Sequence, residues 1–261
     1  MDRLLLILST ACFLGGFCYA LVSLGAGKYR PSRANLAVIA LGFAFQTWFL
    51  YLRGQEHGRT PVTNLFEVFV FLSWSLVLMY FVFGPTYRLS LLGVFTSPLV
   101  FLFQAFALLS NWDQRGAQQA SAEHGPWMPF HASISIMAYG AFALAFVAGV
   151  MFLLQDWQLK SRKVNTILHQ LPPIEYLGKA IVRVLCLGFV LLTAGMISAF
   201  GIDWRPHWWK LASTIAVWVC YAVLLAAVFL GKLSPRRIAV FSAAAFVLAV
   251  STLWGISFLS E

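Results

Sequence analysis

Long apolar segments alternate with short polar ones along almost the whole chain. Eight apolar segments can be recognised, at about 4–24, 34–52, 62–83, 89–109, 130–154, 177–200, 211–230 and 237–259. Each approaches the roughly 20 apolar residues that cross a bilayer as a helix. None has the run of alternating apolar and polar positions that is typical of barrel strands. The pattern predicts an all-α polytopic membrane protein with about eight transmembrane helices, forming a single integral-membrane domain over 1–261.

The composition agrees with this class and excludes others. Of the 261 residues, 61% are hydrophobic and only 10% are charged, whereas roughly a quarter of the residues in a soluble domain are charged. Such a chain cannot cover a globular surface with polar groups, so a soluble enzyme is excluded, and its apolar character also excludes disorder. The four cysteines lie inside apolar segments, where they are typical of buried small side chains rather than of a disulfide framework.

The distribution of charge predicts an orientation in the lipid bilayer. The net charge is +9, but the cations lie between the apolar segments and form no single basic face, so we expect no nucleic-acid partner. Most of the 18 lysines and arginines fall in the first, third, fifth and seventh loops, and cation-rich loops are typically cytoplasmic. Both termini are therefore predicted on the outer face, together with the loops at 53–61, 110–129 and 201–210.

A first candidate site lies where the third apolar segment begins, on the predicted outer face. Pro61 fits the start of a helix, and Thr63 or Asn64 can cap its exposed N–H groups. Glu67 completes a capping-box spacing with Asn64 and shares a helical face with Asn64 and Trp74. Glu67 could therefore belong to a capped span and nothing more. Alternatively it faces a polar site, because a carboxylate near membrane depth usually faces the bundle interior or a wet cavity.

A second candidate is His131, at the outer end of the fifth apolar segment. Ala141, Ala145 and Ala148 follow it as a strip of small residues, which permits close approach by another helix or by a flat ligand. A neutral imidazole is a common ligand of haem iron. The alternative interpretation is a lone interfacial histidine packed among aromatic side chains.

The third candidate is the loop between the sixth and seventh segments. It contains His207 and an unusual density of tryptophan, namely Trp204, Trp208 and Trp209. These rings could form a shelf for a planar cofactor, with Arg205 or Lys210 meeting its carboxylates. Tryptophan is also typical of membrane interfaces, so an aromatic belt explains the same residues.

Three stretches resemble the cytochrome c assembly membrane protein family, in the haem-handling branch that includes CcsA-like and HemX-like proteins. Residues 61–74, PVTNLFEVFVFLSW, are similar to the family segment P-x-(S/T)-N-L-(Y/F)-E-S-L-x-F-L-S-W. Residues 130–139, FHASISIMAY, are similar to its histidine-led span. Residues 171–177 and the span containing 188–195 are similar to its cytoplasmic loop and sixth helix. The resemblance covers about 60–257.

The resemblance implies a haem-binding protein of the bacterial inner membrane that acts in cytochrome c maturation. Its cofactor would be haem, and its partners would be apocytochrome c and a second membrane subunit of the maturation system. At most it would be one component of a haem-attachment system rather than a stand-alone enzyme, and we assign no catalytic residue. The residues expected to contact haem are His131, His207, Trp204, Trp208, Trp209, Asn64 and Glu67, with His131 and His207 as iron ligands.

The chain also departs from the family pattern. The order of Trp and Asp in the tryptophan-rich loop differs, and two histidines of CcsA-like proteins have no counterpart here: the one after the last span and the one near the inner end of the seventh. His207 is our candidate substitute for the missing outer ligand. The divergence is closer to the HemX-like branch, which is associated with tetrapyrrole synthesis and its regulation. The alternative function is therefore a HemX-like regulatory or scaffolding membrane protein without bound cofactor, acting through the polar loop 155–176.

Overall fold

A computed structural model describes residues 2–25, 33–84, 92–109, 127–160, 173–202 and 208–258. Within these ranges the chain forms eight α-helices and no β-strand. The helices are α1 Asp2–Gly25, α2 Arg33–His57, α3 Leu65–Phe83, α4 Leu92–Leu109, α5 Trp127–Lys160, α6 Ile174–Ser198, α7 Trp208–Phe229 and α8 Pro235–Phe258. A 3₁₀ turn, Ala199–Gly201, prolongs α6. Each predicted apolar segment corresponds to one helix.

Length and composition identify most of these helices as membrane spans. Seven of them, α2 to α8, contain a stretch long and apolar enough to cross a bilayer. The apolar part of α1 is shorter, over Arg3–Tyr19. The prediction of an all-α, multi-pass membrane protein is confirmed, whereas the assignment of the bundle ends to the two membrane faces stays a prediction.

Helices that are consecutive in the sequence run in opposite directions. The amide of Gln46 in α2 donates to the Val70 carbonyl oxygen of α3 at 2.8 Å, and Arg53 near the end of α2 meets Glu67 near the start of α3. In α5 and α6, Ser135 lies opposite Gly195. Consecutive spans of a membrane chain alternate in direction, so α3, α5 and α7 all begin at the same end of the bundle.

The fifth helix is the centre of the bundle, packed against α3, α6 and α8. Its Phe142 ring stacks on the Tyr221 ring of α7, with centroids 3.6 Å apart and an angle of 6° between the planes. A Cβ atom on Gly188 of α6 would lie 2.5 Å from the Phe142 ring, so the absence of a side chain there allows the close approach of the two helices. The predicted strip of small residues is buried in this packing, at Ala141, Ala145 and Ala148. It therefore serves helix contacts and offers no surface for a flat ligand.

Two helices are longer than the hydrophobic pattern predicts. The polar residues after 52 continue α2 as far as His57 because nothing breaks the helix before Gly58, which has a φ of 61° and ends it in the left-handed region favoured by glycine. Likewise α5 runs to Lys160, so its last turns carry charges beyond the apolar core. The predicted polar loop 155–176 is therefore helical at 155–160 and again from Ile174, and 161–172 lie outside the described residues.

Candidate functional site at the common start of α3 and α5

Glu67 and His131 lie at similar depths in the bundle. Ser75 of α3 and Gly140 of α5 lie at the same depth in the bundle, because a Cβ atom on Gly140 would be only 2.5 Å from the Ser75 Cβ. This contact is the reference level for the two helices. Glu67 precedes Ser75 by eight residues and His131 precedes Gly140 by nine. At 1.5 Å per residue, both residues are about 12–14 Å from that level, toward the same end of the bundle.

Glu67 is a buried carboxylate held by two arginines. Its residue is 1% exposed, and its Oε1 atom accepts a hydrogen bond from Arg53 Nε at 3.0 Å. Its Oε2 atom accepts from Arg59 Nη1 at 3.3 Å, and the arginine side chains are only 9% and 10% exposed. A charge buried in this way requires a paired opposite charge. We call Arg53, Arg59, Thr63, Asn64 and Glu67 the Glu67 cluster.

The same cluster caps α3. Asn64 is the N-cap, and its Oδ1 atom accepts the backbone N–H of Glu67 at 2.8 Å. Glu67 Oε2 in turn accepts the Thr63 backbone N–H and the Thr63 hydroxyl, both at 3.0 Å. The predicted capping box therefore forms, but the Glu67 carboxylate accepts the backbone N–H of Thr63 instead of that of Asn64. Pro61, expected in the first turn of the helix, precedes the cap, so α3 begins three residues later than predicted.

The cluster leaves two buried donors without an acceptor in the described part of the chain. These are Asn64 Nδ2 and Arg59 Nη2. Trp74, which the sequence placed on the same face as Glu67, has other contacts: its Nε1 donates to Thr47 Oγ1 at 2.9 Å and its ring stacks on Phe43. Trp74 is therefore part of the α2–α3 interface and does not belong to the cluster.

His131 is half-buried, and a backbone carbonyl of α6 fixes its ring. Its Nδ1 atom lies 2.7 Å from the carbonyl oxygen of Gly195, which also accepts the Ser198 hydroxyl at 2.6 Å. A carbonyl can only accept, so Nδ1 carries a proton, and in the neutral imidazole Nε2 then has the lone pair. This tautomer matches the usual state of a metal-binding histidine, which donates its other ring N–H to a carbonyl or carboxylate.

Gly195 permits this contact by allowing α6 to approach α5 closely. A Cβ atom there would lie 2.5 Å from Ser135 Oγ and 3.1 Å from a methyl carbon of Ile134. Both neighbours lie on the α5 turn that follows His131. The distance between α5 and α6, and with it the orientation of the imidazole, therefore depends on the missing side chain at Gly195.

The structure describes part of the predicted aromatic shelf. Trp208 begins α7 and is 80% exposed, while Trp209 is half-buried with the Lys210 ammonium 5.2 Å from its ring centroid. Trp204 and His207 lie outside the described residues. At the same end of the bundle, the Trp127 ring packs beside Gly201 and meets Phe130 edge to face at 6.1 Å.

Sequence reasoning missed the partners of both candidate residues. No local motif pairs Glu67 with Arg53 and Arg59, which lie in the predicted outer loop 53–61. A buried Glu67 nevertheless needs positive partners, and the order of the helices brings the end of α2 to the start of α3. Gly195 and Ser198 carried no signal, because the acceptor for His131 is a backbone carbonyl. In the described ranges no three His, Cys, Asp or Glu side chains are grouped as metal ligands.

The fold and this end of the bundle define a polytopic membrane protein that carries an oriented histidine and a buried ion cluster at similar depths. Residues 62–261 match the family model of the cytochrome C assembly protein, so the chain belongs to that family.

Relatives within the family cover most of the chain. It is 26% identical to the cytochrome c biogenesis protein CcsA of Microcystis aeruginosa, over 99% of this chain and 93% of the relative. The CcsA of Thermosynechococcus vestitus is 27% identical, with coverages of 90% and 85%. Protein HemX of Brevibacillus brevis is 27% identical over 67% of this chain and 63% of HemX. Together the family and these relatives support a role in cytochrome c biogenesis.

Proposed function

We propose that this protein binds haem at the common start of α3 and α5 and handles it during cytochrome c maturation. His131 is the iron ligand and binds through Nε2. The observation that carries the proposal is the 2.7 Å contact between His131 Nδ1 and the Gly195 carbonyl oxygen. This contact fixes the tautomer and the orientation of the ring before any ligand arrives.

Other residues at this end of the bundle suit the rest of a haem molecule. Haem presents carboxylates, and the buried donors Arg59 Nη2 and Asn64 Nδ2 have no acceptor in the described ranges. Trp208 offers an exposed aromatic face at the same end of the bundle. Glu67 contributes indirectly, because its carboxylate holds Arg53 and Arg59 and caps α3.

Haem is the cargo in this proposal, and the chain's own residues bind and orient it. We assign the second iron ligand to His207 in the tryptophan-rich loop, with Trp204 and Trp209 beside it, from the sequence alone. We expect the protein to lie in a bacterial cytoplasmic membrane with this end outward. There it would deliver haem to apocytochrome c together with a second membrane subunit.

The absorption spectrum of the purified protein tests the proposal. Wild-type protein in detergent is expected to retain haem and show a Soret band. His131→Ala should lose most of that haem, because its iron ligand is gone. His57→Ala is the matched control, since His57 is exposed at the end of α2 and its Nδ1 also meets a backbone carbonyl, Arg53 O at 3.1 Å. His57→Ala should keep the wild-type spectrum.

The spectrum also tests the second ligand. Two imidazoles give a low-spin, six-coordinate iron, whereas one leaves a position open or occupied by water. His207→Ala is therefore expected to give a high-spin spectrum with the haem retained. A wild-type protein without a Soret band, even after haem is supplied during expression, would contradict the proposal. That result would favour the cofactor-free, HemX-like regulatory role, which the match to the HemX relative keeps open.

A further inference from the structure

A cleft opens at the opposite end of the bundle, where α5 ends and α6 and α8 begin. Its volume is about 870 Å³, which is in the range of small-molecule sites. Apolar side chains form part of its wall, with Phe152 of α5, Ile174 and Val182 of α6, and Ile238 of α8. The proposed haem site has no part in this cleft, since His131 lies on the first turns of α5 and the cleft on the last.

The cleft has an excess of positive charge. Its charged residues are four cations and two carboxylates, namely Lys160, Lys179, Arg183, Arg236, Asp156 and Glu175. Asp156 is shared by two cations, at 2.8 Å from Lys160 Nζ and 3.4 Å from Arg236 Nε. Glu175 pairs with Lys179 at 2.6 Å. The lining therefore carries two more cations than carboxylates.

The depth of these charges within the bundle further limits the class of ligand that the cleft could bind. Glu175, Lys179 and Arg183 follow one another at intervals of four residues, so they lie along one face of α6. Arg183 is nine residues past the start of α6, roughly 13 Å along the helix axis. A cation at that depth in a membrane span is favourable when an anion or polar headgroup reaches it. Lys179 and Arg183 are like charges one turn apart, and an anion between them would relieve their repulsion.

We propose that this cleft binds the headgroup of an anionic phospholipid. The phosphate lies among Lys179, Arg183 and Arg236, and the acyl chains run along the apolar wall toward the bilayer. Basic pockets between transmembrane helices bind anionic lipid headgroups by the same combination of charge and apolar surface. The residues that line the described cleft include no His, Cys or Met, so the chemistry of the wall favours a phosphate over an iron-containing ligand.

Lipid titration of the full-length protein in neutral detergent tests this proposal. Native mass spectrometry would count the dioleoyl phosphatidylglycerol and dioleoyl phosphatidylcholine molecules that each variant retains. Each cation near the headgroup is worth about a fivefold change in affinity. The double variant Arg183→Gln/Arg236→Gln should therefore bind phosphatidylglycerol roughly 30-fold more weakly. Its binding of phosphatidylcholine should not change.

The matched control removes two cations outside the cleft. Lys232→Gln/Arg237→Gln makes the same change in net charge at the start of α8, on exposed residues that do not line the cleft. It should keep the wild-type preference for phosphatidylglycerol. Arg236→Gln alone, with an expected effect of about fivefold, replaces the double variant if that protein unfolds in detergent.

Four results would overturn the proposal. The first is equal retention of the two lipids by wild-type protein, and the second is equal loss of phosphatidylglycerol in the two double variants. The third is displacement of phosphatidylglycerol by millimolar inorganic phosphate, which would indicate a site for free anions. The fourth is displacement by haemin, which would assign the cleft to a tetrapyrrole. His131→Ala should leave phosphatidylglycerol binding unchanged, so failure of this proposal and failure of the haem site are distinguishable.

Discussion

The Glu67 cluster and His131 lie at about the same depth at one end of the bundle, yet their polar atoms are used differently. Both carboxylate oxygens of Glu67 are occupied by arginines and by Thr63, and the residue is 1% exposed. His131 is half-buried, and the backbone of α6 engages its Nδ1 atom. The first arrangement holds helices together, whereas the second orients a ring and leaves Nε2 for the proposed coordination of haem iron.

This difference predicts that substitutions in the two regions will affect different measurements. Removing one partner of a buried ion pair leaves an uncompensated charge and costs several kcal/mol of folding free energy. Removing a single hydrogen-bonded neutral side chain costs about 0.5–1.5 kcal/mol. Changes in the Glu67 cluster should therefore appear mainly in stability, and changes at His131 mainly in haem retention.

The largest effect on stability is expected from Glu67→Gln. The amide cannot neutralise Arg53 and Arg59, so the free energy of unfolding should fall by roughly 3–5 kcal/mol. Reversible unfolding of the protein in mixed micelles would measure this change. Glu175→Gln is the control, because that side chain is 75% exposed and exposed ion pairs contribute about 0–1 kcal/mol. Equal stability of the two variants would contradict the claim that the Glu67 cluster holds the helices together.

Gly195→Ala should affect both stability and haem. The added methyl group would meet Ser135 and Ile134, and overpacking of this kind costs about 1–3 kcal/mol. The displaced α6 would also weaken the bond from His131 Nδ1 to the Gly195 carbonyl oxygen, so haem retention should fall. Gly178→Ala on the same helix is the control, because its Cβ would meet no atom within 4 Å. Full haem retention in Gly195→Ala would show that this contact does not position the ring.

Asn64→Ala should have a smaller effect on stability, through the cap of α3. The loss of a helix N-cap costs about 1 kcal/mol, measured by the same unfolding experiment. Asn64→Ser should recover most of this stability, because serine also accepts an N–H bond at an N-cap position. A loss as large as that of Glu67→Gln would mean that Asn64, and not the carboxylate, holds the cluster together.

Ser198→Ala should have the smallest effect of the series. The hydroxyl donates to the Gly195 carbonyl oxygen at 2.6 Å, and the loss of this one neutral hydrogen bond should cost about 0.5–1 kcal/mol. The Nδ1 bond of His131 remains, so the haem spectrum of Ser198→Ala should match that of wild type. A changed iron spin state would place Ser198 among the groups that set the histidine tautomer.

The fold could be predicted from the sequence because long apolar segments alternate regularly with short polar ones. Each apolar segment became a helix, since backbone groups in lipid must be satisfied within the helix itself. Helix ends were less predictable, as the extensions of α2 to His57 and of α5 to Lys160 show. Those extensions are polar, and their length depends on the position of a helix-breaking residue such as Gly58. The hydrophobicity of the sequence does not indicate that position.

The candidate site was predictable only in part. Asn64 and Glu67 have the spacing of a capping box, and the structure confirms that Asn64 caps α3. The Glu67 carboxylate, however, accepts the backbone N–H of Thr63. The pairing of Glu67 with Arg53 depends on the packing of α3 against α2, which a local motif does not contain. The acceptor for His131 is a backbone atom 64 residues away, so residue identity could not have revealed it.

The central claim is that the Nε2 atom of His131 binds haem iron. Imidazole rescue of His131→Gly tests it most directly, with His57→Gly as the control. We predict that His131→Gly purified without imidazole lacks the Soret band and that added imidazole restores haem binding through the vacated ligand position. His57→Gly should retain haem under both conditions. An unchanged haem spectrum in His131→Gly without imidazole would contradict the claim.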